Sequence, residues 1–330
     1  MTSQRLWTGI LVSCVFLLFG LGLFSGPADL GWGEQWSALI GNEGVAGTIL
    51  WRLRLPRLCM AALSGAALAM SGLLMQTYFR NALAGPSVLG VTSGATLGVA
   101  LVSLGGWAVG VTWGWTSAVL GALLGAWAVM LMLGAVVGWF RSRTALLIFG
   151  LMVGYLTGAM VTVLQAGAEA QALQAFVVWG MGSFGQATWS GVGVLFLIFS
   201  LASVWTFQRA SMLDMWTLGR LTARSMGVNE KRLTWGVLGT TGAMAGLVTA
   251  WCGPVAFLGL ATPHLVRIVL PTARHRSLLV PVMLTGSALA LISDLAVRFA
   301  GIPLNAVLSM LGAPVVLWLL LKRKTVGENG

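Results

Sequence analysis

Two groups of charged residues stand inside or beside long apolar runs, where a charge needs a partner or a function. Arg52, Arg54 and Arg57 lie in the stretch WRLRLPRL, directly before an apolar run that is long enough to cross a bilayer. Asp294 and Arg298 are four positions apart, so both lie on one face of a helix. This spacing predicts a structural ion pair between Asp294 and Arg298, which would neutralise a costly buried charge.

The sequence lacks the motifs of common catalytic and metal sites. It contains no G-x-x-x-x-G-K-[ST] segment, so a P-loop for ATP is not expected, and it contains no H-E-x-x-H zinc motif. The three cysteines show no C-x-x-C spacing, which is typical of packing residues rather than metal ligands. Asp294 is the only acid inside a predicted span. We therefore predict that the chain is not an enzyme and binds no metal or cofactor itself.

Membrane-spanning helices are the elements that must position these residues. Of the 330 residues, 58% are hydrophobic and only 8% are charged, whereas a soluble domain carries about 25% charged residues. Apolar runs of about 20 residues recur along the chain, and 45 glycines permit close contact between helices. We predict an all-α polytopic membrane protein with about ten transmembrane helices, which form a single domain over residues 1–330. The predicted spans are 6–25, 58–78, 88–106, 111–139, 144–166, 190–208, 233–252, 256–270, 278–299 and 305–321.

Three details of the apolar blocks add to this prediction. The span at 111–139 is longer than a bilayer requires, which indicates tilt or extra-membrane turns. The span at 256–270 is short and has two prolines in or beside it, which indicates a broken helix. The segments SGAALAMSGLLMQ (64–76) and TGAMAGLVTAWCG (241–253) start spans two and seven, which makes them a candidate inverted internal repeat. Similar composition alone also explains their likeness.

The distribution of basic residues predicts the orientation. Ten spans put both termini on one side. With both termini in the cytoplasm, every Lys and Arg except Arg52, Arg54, Arg57 and Arg298 falls on the cytoplasmic side. The net charge of +11 is therefore explained by orientation, and nucleic-acid binding is not required. The four external arginines break this pattern. Two explanations remain open, namely anchoring at lipid headgroups and docking of an acidic external partner.

Two connecting segments carry further candidate functions. Residues 209–232 form the longest cytoplasmic loop, which is too long for a simple connection and predicts two short helices with a turn. This basic loop either faces water or docks a soluble partner. On the outer side, residues 173–189 are amphipathic and rich in Trp and Phe. They predict a short interfacial helix or a rim beside an entrance, with Trp179 and Trp189 as anchors.

Several segments together resemble the permeases of bacterial ABC importers for iron-siderophores, haem and cobalamin, the FecCD-type family. They extend over nearly the whole chain and follow the order found in the family. The matching stretches are RLPRLCMAALSGAALAMSGLLMQ (54–76), RNALAGPSVLGVTSGATLG (80–98), LGRLTARSMGV (218–228), GPVAFLGLATPHLVR (253–267), SDLAVR (293–298) and LGAPVVLWLL (311–320).

The resemblance implies the permease subunit of an ATP-driven importer, with a substrate path along the two-fold axis of a homodimer. Two separate ATPase subunits, which hold ATP and Mg, would bind on the cytoplasmic side, and a substrate-binding protein would dock on the outer side. It also implies a multi-pass protein of the bacterial cytoplasmic (inner) membrane with both termini in the cytoplasm. No cofactor is implied for this chain itself.

The resemblance further implies three sets of functional residues, at positions that match the family's motifs. The residues that would receive glutamates of the binding protein are Arg54, Arg57 and Arg298. The residues that would couple to the ATPase, within the loop at 209–232, are Leu218, Gly219, Ala223, Gly227 and Val228. The candidates for the translocation path, on the fifth span, are Phe149, Met152, Val153, Tyr155, Leu156 and Met160. The tenth span, 305–321, is implied to line the path as well.

Two departures from the family pattern bear on the substrate. Ala82 stands in RNALA, where the family usually has proline, and Gly301 stands in GIPLN, where the family frequently has glutamate. Ferric-siderophore complexes are the predicted substrate, with haem and cobalamin as alternatives. An ion-coupled secondary carrier is a further alternative, which the single intramembrane acid disfavours. A membrane-embedded enzyme would need clustered His, Asp or Glu within the spans.

Overall fold

A computed structural model describes residues 2–26, 31–41, 44–105, 115–140 and 143–327 of the chain. Within these residues the chain is helical, with short π and 3-10 segments and no strand. The α-helices are α1 (Thr2–Phe24), α2 (Trp32–Gly41), α3 (Gly44–Thr48), α4 (Leu55–Phe79), α5 (Val91–Ser103), α6 (Trp115–Val136), α7 (Arg143–Ala166), α8 (Ala170–Gly180), α9 (Trp189–Thr217), α10 (Arg220–Ser225), α11 (Glu230–Cys252), α12 (Leu258–Val269), α13 (His275–Ala300) and α14 (Leu304–Gly327). The π segment is Ile49–Arg54 and the 3-10 segment is Pro86–Leu89.

The ten predicted spans correspond one to one with helices of the described residues. Seven of these helices are long and apolar enough to cross a membrane. The other three are shorter apolar helices, namely α5, α12 and the Leu304–Leu317 part of α14. The prediction of an all-α polytopic membrane protein is therefore confirmed. The overlong fourth span, predicted at 111–139, contains α6, and its first residues, 111–114, lie outside the described part.

Helix α9 extends further than the sequence predicted. It continues to Thr217, so the first part of the predicted loop at 209–232 is helical. The reason is that Leu213 and Trp216, about one turn apart, are fully buried against the bundle. Of the two short helices predicted for this loop, the structure contains one, α10, which ends at Ser225.

The irregularity predicted around the eighth span lies before the helix. α11 ends at Cys252, and residues 253–257 form an irregular connection to α12. Phe257 precedes α12 with φ +63, which is uncommon for a residue other than glycine. Its side chain lies directly against Gly312 of α14. Pro263 lies inside α12 without ending it, so the short length of this helix comes from the preceding connection.

The outer segment predicted at 173–189 is only partly helical. α8 ends at Gly180, and the residues after it form turns that lead into α9. Asn305, at the start of α14, holds this region together. Its Nδ2 donates hydrogen bonds to the carbonyl oxygens of Pro254 (2.6 Å) and Gly180 (3.3 Å). One side chain thereby joins the end of α8, the connection before α12 and the start of α14.

Helix α4 is the centre of the bundle. Every residue of α4 from Ser64 to Phe79 is buried, and α4 packs against α9, α11, α12 and α13. Two of these contacts bring backbone against backbone because glycine faces glycine. A Cβ added at Gly65 would run into Gly286 of α13, and one added at Gly72 would run into Gly259 of α12. The two segments of the candidate inverted repeat lie in α4 and α11, and the repeat stays a prediction.

We expect Gly72→Val to disrupt the contact between α4 and α12. The added side chain has no room against the backbone of Gly259, so the free energy of unfolding should fall by about 1–3 kcal/mol. The matched control is Gly239→Val on α11, where an added Cβ meets no atom within 4 Å. Thermal unfolding of both purified variants in detergent micelles measures the difference. Equal midpoints for the two variants would contradict this account of the packing.

Candidate functional site

The arginines that the sequence predicts to be external meet Asp294 at one end of the bundle. Nε of Arg57 lies 2.7 Å from Oδ1 of Asp294, and Nη2 of Arg298 lies 2.6 Å from Oδ2 of the same carboxylate. Asp294 is only 1% exposed. Its carboxylate therefore bridges two guanidinium groups, one on α4 and one on its own helix α13. The contact with Arg298 follows from their spacing in one helix, whereas the contact with Arg57 depends on the packing of α4 against α13.

Two of these arginines also hold the end of helix α1. Nη1 of Arg54 donates a hydrogen bond to the carbonyl oxygen of Leu23 (2.9 Å). Nη1 of Arg298 donates to the carbonyl oxygens of Gly22 (2.7 Å) and Ser25 (3.3 Å). The last carbonyls of a helix lack partners within the helix and carry the negative end of its dipole. Both arginines therefore stabilise the end of α1 by charge-assisted hydrogen bonds.

The accessibility of the three predicted docking arginines differs. Arg54 is 6% exposed, and the side chain of Arg298 is 3% exposed, whereas that of Arg57 is 23% exposed. Only Arg57 therefore presents part of its guanidinium-bearing side chain at the surface in this conformation. Arg52 is exposed, and within the described residues it forms no ion pair.

A cavity of 530 Å³ opens on the same side, between α8 and the end of α11. None of the described residues that line it is charged. Its polar and aromatic lining consists of Gln171, Gln174, Trp179, Ser183, Gln186 and Trp251. The buried indole N–H of Trp179 has no hydrogen-bond partner among the described residues. The cavity thus offers the amide groups of its glutamines to an uncharged ligand with oxygen acceptors.

The predicted path residues on α7 lie on two faces of the helix. Met152, Tyr155, Leu156 and Met160 are exposed, and together they form an apolar surface with little internal packing. Phe149 is half-buried, and Val153 is buried, so Val153 faces the bundle. The structure therefore groups four of the six predicted residues on one open face. α14 also exposes apolar side chains, among them Met310 and Leu317.

The predicted coupling residues surround α10, between α9 and α11. Ala223 and Val228 are buried and attach the segment to the bundle, whereas Leu218 is exposed. Gly219 and Gly227 have φ values of +122 and +86, which a residue with a side chain rarely adopts. These two glycines therefore permit the turns on either side of α10.

Sequence reasoning missed two exposed apolar residues on this segment. Leu221 is 82% exposed and Met226 is 52% exposed. Leu218, Leu221 and Met226 are thus three exposed apolar side chains on one short segment. Exposure of such side chains is typical of a surface that contacts a partner. A helix of six residues is too short for the spacing of its apolar residues to reveal such a face in the sequence.

A second missed group connects the end of α9 to α4 and α13. Nδ1 of His275 lies 2.6 Å from Oδ1 of Asp214, and its Nε2 lies 2.7 Å from Oγ1 of Thr77. The backbone N–H of His275 also donates to Asp214 (2.8 Å). Nearby, Nε1 of Trp216 donates to the carbonyl oxygen of Tyr78 (3.1 Å), and the two rings are stacked. No local sequence signal predicts these contacts because their partners are far apart in the chain.

Both departures from the family pattern, Ala82 and Gly301, lie in turns at the ends of helices. Nε2 of His264 lies 2.7 Å from the carbonyl oxygen of Ala82, which fixes the turn after α4. Gly301 ends α13 with φ +67, the left-handed conformation common at helix ends and open to glycine without strain. No group of three His, Cys, Asp or Glu side chains suited to a metal ion occurs in the part of the chain that the structure describes.

Known proteins similar to this chain are transport proteins of the membrane. A family model, the FecCD transport family, matches residues 14–322. The hemin transport system permease protein HmuU of Yersinia pestis is 32% identical over 328 residues, which are 98% of this chain and 97% of that protein. The vitamin B12 import system permease protein BtuC of Citrobacter koseri is 33% identical over 303 residues, with 88% and 89% covered. A solved metal-chelate type ABC transporter in an inward-facing conformation has a TM-score of 0.84 and 26% identity, with 96% and 99% of the two chains covered.

We expect Asp294→Asn to destabilise the folded chain. The change leaves Arg298 in a buried site without its countercharge, and breaking a buried pair in this way costs about 3–5 kcal/mol. Glu169→Gln, an exposed acid before α8, is the control for loss of one carboxylate. Thermal unfolding of the purified variants measures the effect. Addition of Arg298→Gln to Asp294→Asn should recover part of the loss, and equal stability of the two single variants would overturn the assignment.

Proposed function

The chain belongs to the FecCD transport family, and we propose that it is the permease subunit of an ATP-driven importer for ferric-siderophore complexes. Its similarity to haem and vitamin B12 permeases supports the broader assignment to importers of the metal-chelate, haem or B12 type. The likeness to a metal-chelate type transporter supports the same class. The chain is thus a transport subunit of the membrane, and hydrolysis of ATP belongs to a partner in this proposal.

The observation that carries the proposal is the exposed apolar group on and beside α10. Leu218, Leu221 and Met226 stand in water at one end of a membrane protein that has no P-loop of its own. An ATPase subunit with an apolar groove would cover them and remove that area from water. Two such subunits, holding ATP and Mg, would bind to two copies of this chain on the cytoplasmic side, which also contains both termini.

A second copy of the chain would supply the other wall of the substrate path. The open face of α7, with Met152, Tyr155, Leu156 and Met160, and the exposed residues of α14 are the surfaces for this homodimer. An apolar wall offers few strong polar contacts, so a bulky ligand passes without being held. In this proposal the protein lies in the bacterial cytoplasmic membrane, with the Asp294 cluster on the outer side.

The uncharged outer cavity favours ferric siderophores as the substrate. Gln171, Gln174 and Gln186 offer amide groups that hydrogen-bond to the carbonyl and hydroxyl oxygens of an organic chelate. The cavity has no described basic residue to pair with the carboxylates that haem carries. Haem and cobalamin remain the second candidates because the relatives HmuU and BtuC carry those names.

The outer arginines are proposed to dock the substrate-binding protein. Arg57 is the accessible member and would make the first contact with an acidic side chain. Arg54 and Arg298 are held by α1 and Asp294, so they would engage a partner only by exchanging those contacts. The cluster has three arginines around one described acid, and this surplus of positive charge is complementary to an acidic lobe.

We expect affinity purification of the chain from its native membranes to recover a P-loop ATPase in near-stoichiometric amount. Leu218→Asp should reduce that recovery by roughly tenfold or more, because a buried unpaired carboxylate in the contact is costly. Ser225→Asp is the matched control, since it adds the same charge at an exposed position of α10 that is not apolar. Quantitative mass spectrometry of the recovered proteins gives both ratios.

The same purification separates the proposal from the ion-coupled carrier. Folded chain that recovers no ATPase, and that still transports substrate in vesicles without ATP, would overturn the importer assignment. Asp294 would then be the first candidate for ion coupling, since it is the only acid inside a predicted span.

We expect Arg57→Gln to weaken binding of the substrate-binding protein about tenfold, because one charge-assisted hydrogen bond is lost. Arg52→Gln is the control, since Arg52 is exposed on the same side but forms no contact with Asp294. Surface plasmon resonance on the reconstituted permease measures both affinities, and thermal unfolding verifies that Arg57→Gln is folded. Equal affinities for the two variants would contradict the docking proposal without affecting the proposal that an ATPase binds. Loading the binding protein with a ferric siderophore, haem or cobalamin then identifies the substrate.

A further inference from the structure

A cavity of 1030 Å³ opens beside α10 at the end of the bundle opposite the Asp294 cluster. The ends of α4 and α6 and the beginnings of α7 and α11 surround it. All four are at the same end of the bundle, where membrane helices emerge into the headgroup region. Two of its lining residues, Gly227 and Val228, belong to the segment assigned to ATPase coupling. The transport function proposed above gives its charged residues no task.

The cavity has a basic lining. Arg80, Arg220, Arg224 and Lys231 line it together with a single acid, Glu230. Nε of Arg220 lies 2.9 Å from a carboxylate oxygen of Glu230, and Nε of Arg224 lies 3.8 Å from it. Arg80 and Lys231 form no ion pair with any residue in the described ranges. Two cations are therefore available to an anion that enters the cavity.

Arg80 adopts a backbone conformation that is unusual for its type. It ends α4 with φ +49, in the left-handed region that glycine usually occupies. Its guanidinium points towards the Gly219 turn before α10. Its backbone N–H closes the helix by bonding to the carbonyl oxygens of Gln76 and Thr77, and its guanidinium forms no ion pair among the described residues.

The opposite wall of the cavity is apolar and aromatic. Phe140, Leu146 and Trp235 line it, and Trp235 is half-exposed although it lies next to Gly134 of α6. A basic lining next to an apolar wall is complementary to a molecule with an anionic head and a hydrocarbon tail. Basic pockets between membrane helices on the cytoplasmic side bind anionic lipid headgroups by this combination.

Helix α10 separates this cavity from the apolar group assigned to the ATPase. Arg220 and Arg224, one turn apart, line the cavity, whereas Leu221 is exposed and does not line it. Leu218 and Met226 also stand outside the cavity lining. The two faces therefore differ in chemistry, basic towards the cavity and apolar towards the partner. A protein groove that covers the leucines leaves the basic face to another ligand.

We propose that this cavity binds an anionic phospholipid, with the phosphate at Arg80 and Lys231 and the first acyl carbons against Phe140 and Trp235. The inference goes beyond transport and rests on the orientation that places this end in the cytoplasm. A bound lipid fills the space behind α10 and pairs with cations on α4, α10 and α11. The lipid thereby fixes the position of α10 relative to the bundle, so anionic lipid strengthens coupling to the ATPase.

Native mass spectrometry of the full chain, purified in detergent, tests the site with dioleoylphosphatidylglycerol and dioleoylphosphatidylcholine as probes. We expect preferential binding of phosphatidylglycerol. Arg80→Gln and Lys231→Gln should each weaken its binding roughly fivefold, as expected for one basic residue at a membrane surface. Arg232→Gln is the matched control, because Arg232 is the exposed neighbour of Lys231 on α11 and does not line the cavity. The affinity of Arg232→Gln for phosphatidylglycerol should lie within about twofold of that of the unchanged chain.

Three results would overturn the proposal. The first is equal phosphatidylglycerol binding by the cavity variants and the Arg232→Gln control, with thermal unfolding showing that all are folded. The second is displacement of the lipid by millimolar inorganic phosphate, which would identify a site for free phosphate. The third is loss of bound lipid when the ATPase is added, which would make the cavity a protein contact. Retention of lipid in that complex, with ATPase activity raised by phosphatidylglycerol and not in Arg80→Gln, would support it.

Discussion

The close contact of helix α4 with α12 and α13 is the constraint on which both ends of the molecule depend. At Gly65 and Gly72 the backbone of α4 meets the backbone of its neighbours, so these helices cannot approach further or separate without losing the contact. The beginning of α4 carries Arg57 and follows Arg54, and its end carries Thr77 and Tyr78 and is capped by Arg80. A single buried helix therefore positions the arginine cluster at one end of the bundle and the contacts to α9 and α13 at the other.

The cluster around Asp294 shows how buried charge is compensated at one end of the bundle. Asp294 compensates Arg57 and Arg298 together, and the carbonyls at the end of α1 take further hydrogen bonds from Arg54 and Arg298. This arrangement stabilises the fold, because each buried guanidinium has oxygen partners. It also leaves more positive than negative charge, since one described carboxylate serves three arginines. The same residues hold α1 in place, so an acidic partner that docks as proposed would compete with α1 for Arg54 and Arg298.

The parts of the structure that depend on local sequence were predictable, and those that depend on packing between distant segments were not. Apolar runs of about 20 residues located the spans, and the i, i+4 spacing placed Asp294 beside Arg298. The extension of α9 was missed because the burial of Trp216 depends on its contact with Tyr78 of α4. Arg57 was expected to face a partner. Its contact with Asp294 was not predicted, because it depends on the packing of α4 against α13. The exposed position of Leu221 was missed because a helix of six residues is too short to show a helical period of apolar residues.

The contacts around His275 and Trp216 explain how a movement of α10 would reach the rest of the bundle. α9 ends directly before α10, and its last turns are fixed to α4 by Trp216 and to α13 by Asp214 through His275. His275 also bonds Thr77 of α4, so the three helix ends form one hydrogen-bonded unit. A force on α10 therefore acts on α4, α9 and α13 together rather than bending one helix. Glycine contacts hold α4 against α12 and α13 along its length. A displacement of the end of α4 that carries Thr77 must therefore be accompanied by movement of α12 and α13. Arg57 and Asp294 lie at the other end of that rigid group.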